Sequence, residues 1–246
     1  MSVSANPVLH ANKLNRKLSE NASVQNLSLS LHRGDVLGLL GLNGAGKSTI
    51  LRMLSGTLVP DSGAVSINGF SLSEQPLQAR QHLGYLPDQP PLFNDMRVTD
   101  YITLCAKLRR VKVATLHQRV SDVLTQCDLH GMKDKRISQL SKGFRQRVGL
   151  AQAIVHEPSV LLLDEPSNGL DPNQMQGMRD IISSVGEKHA VIFSTHLLNE
   201  AQAVCNRIAM VHGGKLLHDN AVTNDNGQLE KLFESLTREK PETVEA

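Results

Sequence analysis

The sequence predicts an α/β fold: a mainly parallel sheet covered by helices, a small antiparallel β patch near the N-terminus, and a helical insert between two halves of the core. Three observations carry this. Four short runs, Val36–Leu40, Val160–Leu163, Val191–Phe193 and Ile208–Val211, are apolar throughout, and strands apolar on both faces belong inside a sheet that helices cover. Val24–Leu31 alternates instead, with Leu27, Leu29 and Leu31 on one face and Ser28 and Ser30 on the other; Ala64–Ile67 runs into Asn68-Gly69, a hairpin signal. From about Asn94 to Arg136 the period changes. Val98, Tyr101, Ile102, Cys105 and Leu108 recur at helical spacing, as do Val120, Val123, Leu124 and Cys127. The predicted boundaries are a core of about 8–90 and 155–220, a helical segment of about 91–154, and a final amphipathic helix of about 227–240 carrying Leu229, Leu232, Phe233 and Leu236.

Composition narrows the class of protein. The chain has 246 residues, 40% of them hydrophobic and 20% charged, with a net charge of +2. That charge is too mild to point to nucleic acid, and with 3% aromatic residues and no Trp few side chains could stack on bases. Cys105, Cys127 and Cys205 are scattered without metal-ligand spacing, which fits buried thiols in a reducing compartment. The first residues lack the basic and apolar regions of a signal peptide, and no apolar run approaches the ~20 residues that span a bilayer.

Gly41-Leu42-Asn43-Gly44-Ala45-Gly46-Lys47-Ser48 matches GxxxxGK[ST] between an apolar strand and the helical run Thr49–Leu54. Gly41, Gly44 and Gly46 let the backbone curl so that N–H groups, including those of Asn43, Ala45 and Thr49, line a phosphate. The helix start adds its positive dipole end. Lys47 can reach the terminal phosphates, and the Ser48 hydroxyl can ligate magnesium. Downstream, the run Val160–Leu163 ends in Asp164-Glu165 at the carboxyl edge of the sheet, where such folds bind ligands. Asp164 is placed to hold a metal and Glu165 to act as general base. Alone, an acidic pair after a strand is an ordinary solvated turn; beside a phosphate loop it is a candidate site.

Leu140-Ser141-Lys142-Gly143-Phe144-Arg145-Gln146-Arg147, shortly before that strand, resembles the signature motif of the ABC ATPases. From the residues alone, Ser141 is a helix N-cap, Phe144, Val148, Ala151 and Val155 form a buried stripe, and Arg145, Gln146 and Arg147 lie off it. Asn168-Gly169-Leu170-Asp171 resembles the family's interface loop and Ser194-Thr195-His196 its switch histidine; Asp88 stands where the family usually has Gln or Glu. The likeness runs from about Val8 to Leu236. It implies a P-loop NTPase core that binds ATP with magnesium (Ser48, Asp164, Asp88), with Lys47, Glu165 and His196 catalytic. It also implies that Ser141 and Gly143 face nucleotide held by a second ATPase subunit, as homodimer or heterodimer. An integral membrane permease is the implied partner and the cytoplasmic face of the inner membrane the implied location. The LSKGxRQR form and the Gly84-Tyr85-Leu86-Pro87-Asp88 stretch resemble bacterial exporter-type members. One departure stands out: where many members stack an aromatic ring on adenine, this chain has Leu18, and neither Tyr nor Phe precedes Gly41. The competing readings are a soluble family member in macromolecular assembly, which would carry a long insertion or a second nucleotide unit, and a non-hydrolysing regulator, which the intact Lys47, Glu165 and His196 oppose.

Overall fold

The computed structural model describes residues 6–19, 23–222, 229–231 and 233–235. In chain order the strands are β1 Leu9–Lys17, β2 Ser23–Leu31, β3 Val36–Leu40, β4 Ser62–Ile67, β5 Phe70–Ser71, β6 Leu83–Leu86, β7 Val160–Asp164, β8 Ala190–Thr195, β9 Arg207–His212 and β10 Lys215–Ala221. The α-helices are α1 Lys47–Leu54, α2 Pro76–Gln81, α3 Val98–Leu108, α4 Val113–Gln126, α5 Lys142–Ile154, α6 Pro172–Gly186 and α7 Leu198–Val204.

The strands make two sheets. One is antiparallel, in the order β2-β1-β4-β5; the other has the order β10-β9-β3-β8-β7-β6, parallel except for its edge strand β10. The central strands are buried on both faces, as their unbroken apolar runs require. Val36, Leu40, Leu161, Leu163, Val191, Phe193, Ile208 and Met210 pack with α3 to α7. The alternate residues Leu37, Leu39, Val160, Leu162, Ile192, Ala209 and Val211 pack with α1 and the antiparallel sheet. The parallel sheet is thus the middle layer between helices and a second β layer. The Asn68-Gly69 turn links β4 to β5, as the hairpin signal predicts.

Several expectations need correction or completion. Leu108, placed on the buried stripe of α3, is 72% exposed because the helix ends there and the chain turns away. Gln146, placed off the buried stripe of α5, is only 2% exposed. The strand β1 escapes period-two reading because its pairing shifts between Ala11 and Leu14 and again before Arg16, so its buried residues are not evenly spaced. Of the C-terminal helix, residues 229–231 and 233–235 are helical and Leu229 and Phe233 pack on the core; Leu232 and Leu236 lie outside the described residues. Cys127 and Cys205 are buried and Cys105 partly so, all three as free thiols.

Candidate functional site

Register brings the site together. Leu40 pairs with Thr195, and Asp164 pairs with Ser194, so β3, β8 and β7 end side by side at one edge. The residues that follow these ends, Gly41 onward, His196 and Glu165, therefore share one cleft. Its volume is about 440 Å³, and its walls include the loop Asn43–Thr49, Asp88, Glu165, Asn168 and His196.

The phosphate loop curls through two glycines in the left-handed region, Gly44 at φ 83 and Gly46 at φ 107, conformations that side chains disfavour. Its start is tied to β8 by the Gly41 N–H, which donates to Thr195 O. Lys47, the first residue of α1, is 5% exposed and folds back over the loop. Its amine donates to Gly41 O at 2.7 Å and Leu42 O at 3.2 Å and lies 3.3 Å from Glu165 Oε1.

Asp164 sits under the loop with 4% of its surface exposed. Its Oδ1 accepts from the hydroxyls of Ser48 at 3.0 Å and Ser194 at 2.8 Å. Burial raises the Asp164 pKa; the two hydroxyls pull it down, while the Asp88 and Glu165 charges push it up. A cation at this point would offset the burial cost. Magnesium fits the donor set, which is all oxygen. Among the described residues no group of three or more His, Cys, Asp or Glu could hold a metal without help, and magnesium characteristically completes its shell with substrate phosphates and water.

Glu165 has φ 48, rare for a residue with a side chain. Its N–H donates to Ser194 Oγ at 2.9 Å, which fixes the bend. From this bend the Glu165 Oε1 faces Lys47 and Oε2 accepts from His196 Nδ1 at 2.9 Å. The histidine loop is braced from below: the Thr195 hydroxyl donates to buried Glu200 and accepts from the Leu197 N–H at 3.1 Å. Tyr85, half-buried on β6, has its phenol pushed up to about 12 by burial and by the Asp164 charge.

Asp88 lines the same cleft and ties three segments. Its Oδ1 accepts from Asn168 Nδ2 at 3.2 Å, and its main-chain oxygen accepts from Gln146 Nε2 at 3.2 Å. Leu18, 47% exposed, lines the cleft beside Ser23, Gly213 and Gly214. Ser141 and Gly143 stand apart from it: Ser141 is exposed and caps α5 by accepting weakly from the Phe144 N–H at 3.5 Å, and neither residue is part of the cleft wall. Sequence reasoning therefore reached the loop, both acids and the histidine. It missed the linking role of Ser194, the brace of Glu200, and the glycine pair Gly213-Gly214, whose only signal is its place between two strands.

A glycine loop wrapped on a helix start, at the carboxyl edge of a parallel sheet and under an acidic strand end, defines a P-loop nucleotide-binding protein. Residues 24–168 match the ABC transporter family. The ABC transporter ATP-binding protein NatA of Bacillus subtilis is 32% identical over 87% of this chain and 85% of its own length. The uncharacterized ABC transporter ATP-binding protein YdbJ of the same organism is 33% identical over 93% and 74%. A solved ATP-binding subunit of an ABC transporter superposes with TM-score 0.82 at 27% identity, covering 94% of this chain and all of that one. The chain belongs to the ABC transporter family, as an ATP-binding subunit.

Proposed function

We propose that the chain hydrolyses ATP and that this drives a separate membrane permease, with export as the direction. The observation that carries the proposal is the convergence of Lys47, Ser48, Glu165 and His196 on one cleft, with Asp164 bonded to Ser48 beneath it and Glu165 bridging Lys47 and His196. In this reading the N–H groups of Asn43 and Gly44 and those from Gly46 to Thr49 cradle the phosphates, and Lys47 neutralises charge on the terminal one. Ser48 and Asp164, with Asp88, would hold magnesium, which would neutralise charge developing on the phosphates. Glu165 takes the proton of the attacking water as its oxygen bonds to the terminal phosphorus and the bond from that phosphorus to the bridging oxygen breaks, leaving ADP and phosphate. His196 positions that carboxyl and contacts the terminal phosphate. Phosphate release upon adding ATP and magnesium, lost in Lys47→Ala, is the direct test; native protein that binds ATP without turnover overturns the hydrolytic part.

Ser141 and Gly143 lie outside the cleft, and this supports a second subunit that receives them at its own nucleotide. No described helix is long and apolar enough to cross a membrane, in keeping with a membrane partner and a site of action at the cytoplasmic face of the inner membrane. A groove of about 210 Å³ between Pro91, Phe93, Tyr101, Leu104 and Gln152 suits that partner; Phe93 is 58% exposed there. The segment Pro87–Pro91 joins this groove to Asp88, with helices of 91–154 as the part that moves.

Two expected results follow. Asp88→Ala should weaken permease stimulation of ATPase activity by about fivefold or more, more than it weakens basal ATP binding, and Asp88→Gln should retain most of the stimulation. Equal stimulation of native and Asp88→Ala protein by purified permease would reduce Asp88 to a loop residue. At the other end of the cleft, Leu18 offers no ring for the base, a contact worth ~1–3 kcal/mol elsewhere. GTP should bind within about tenfold of ATP, and Leu18→Tyr should tighten ATP binding. Titration with both nucleotides checks this; strong ATP preference unchanged by Leu18→Tyr counts against it.

A further inference from the structure

The turn between α3 and α4 has a surface that folding does not explain. Lys107, Leu108, Arg109, Arg110, Lys112 and Val113 are all exposed, Leu108 at 72% and Val113 at 89%. Arg110, at φ 60, makes the bend that sets the two apolar side chains on either side of it. No Asp or Glu occurs from Tyr101 to Ser121, and among the described residues none of the four cations is in an ion pair. Arg109 reaches back to Arg80 O at 2.9 Å, which adds a fifth cation at the margin. Single exposed apolar residues are ordinary. Two of the three most exposed large hydrophobic side chains among the described residues, flanking a tip of unpaired positive charge, are not.

We propose that this tip docks on an anionic phospholipid surface. The chemistry favours lipid over other polyanions. Aliphatic Leu108 and Val113 gain by entering the boundary between headgroups and acyl chains, while the cations meet phosphate and carboxylate groups at the same depth. A nucleic acid would match the charge but leave the aliphatic side chains in water, and the tip carries no ring to stack on a base. Leu108 also borders the Phe93 groove, so a membrane contact at the tip would hold that groove level with whatever crosses the bilayer. The inference goes beyond the transport reading and does not require it.

The chain has no Trp, so Val113→Trp introduces a single indole at an exposed site. Mixing this variant with phosphatidylcholine vesicles containing phosphatidylglycerol should shift its emission to the blue and expose it to quenching by brominated acyl chains. Pure phosphatidylcholine vesicles should give little response, and salt should reverse the binding. Adding Arg110→Glu and Lys112→Glu should lower vesicle affinity by at least about tenfold, since each cation near such a surface counts about fivefold. ATP binding, measured in parallel, shows that the variants are folded. The proposal is overturned by absence of a shift with folded protein, by equal response to neutral vesicles, or by a response to DNA or RNA oligonucleotides that vesicles do not produce. The isolated chain is used throughout, so the outcome is separate from whether a permease occupies the groove.

Discussion

Glu165→Gln is expected to bind ATP and fail to turn it over, with the rate of phosphate release lowered about 10²–10⁴-fold, the usual span for general-base assistance. The amide is nearly the size of the carboxyl and can keep the left-handed backbone that Ser194 fixes. It can still accept a hydrogen bond from His196 through its oxygen. It cannot take a proton from water, and it no longer carries the charge that Lys47 meets at 3.3 Å. Binding and chemistry should therefore separate. Equilibrium nucleotide binding alongside steady-state phosphate release measures both, and size-exclusion chromatography should show ATP-held dimers accumulating. Lys47→Ala gives the opposite pattern, because it removes the amine from the loop and loses affinity first. Near-normal turnover by Glu165→Gln would take the base role away from Glu165.

A second large effect is expected at the wall of the cleft, in residues with no side chain to act on the nucleotide. The turn between β9 and β10 is Gly213-Gly214, and Gly214 joins the phosphate loop to the antiparallel sheet: its N–H donates to Ala45 O at 2.9 Å and its oxygen accepts from the Gln25 N–H at 3.0 Å. A Cβ on Gly214 would lie 1.6 Å from Ser23 O, a main-chain atom, and the residue is at φ 72. Gly214→Ala must displace backbone and accept a left-handed alanine, together about 2–5 kcal/mol. That corresponds to a fall in melting temperature of roughly 5–15 °C, accompanied by weaker ATP binding as Ala45 shifts. Gly213→Ala is the control. It has φ 51 but nothing within 4 Å of its Cβ position, so only the backbone cost of about 1–2 kcal/mol applies. Calorimetry on both variants decides the matter; equal losses would mean that contact with Ser23 is relieved without strain.

These two residues mark what the sequence makes legible. Glu165 could be found because an apolar strand followed by two acids has a short local pattern, as does the glycine loop ending in Lys47-Ser48. The strands β3, β7, β8 and β9 were visible for a similar reason: burial on both faces leaves no polar residue to interrupt the run. Gly214 has no such pattern, since its importance comes from Ser23 and Ala45, which are distant in the chain. Strand β10, an edge strand of sequence Lys215-Leu216-Leu217-His218-Asp219-Asn220-Ala221, hides its pairing behind polar residues and a register shift near Leu216. Gln146 was misread for a related reason. A polar residue beside two arginines looks solvent-facing, yet its amide has a partner that only the folded chain supplies.

That partner is the main-chain oxygen of Asp88, not its side chain. The residue thereby divides its work between two kinds of atom. Every amino acid has a carbonyl, so the link from α5 to this segment survives any substitution that keeps the backbone in place. The carboxyl, bonded to Asn168 and facing the cleft, is free to vary without breaking that link. A substitution here, Asp88→Gln included, thus changes what faces the cleft while the link to α5 stays in place.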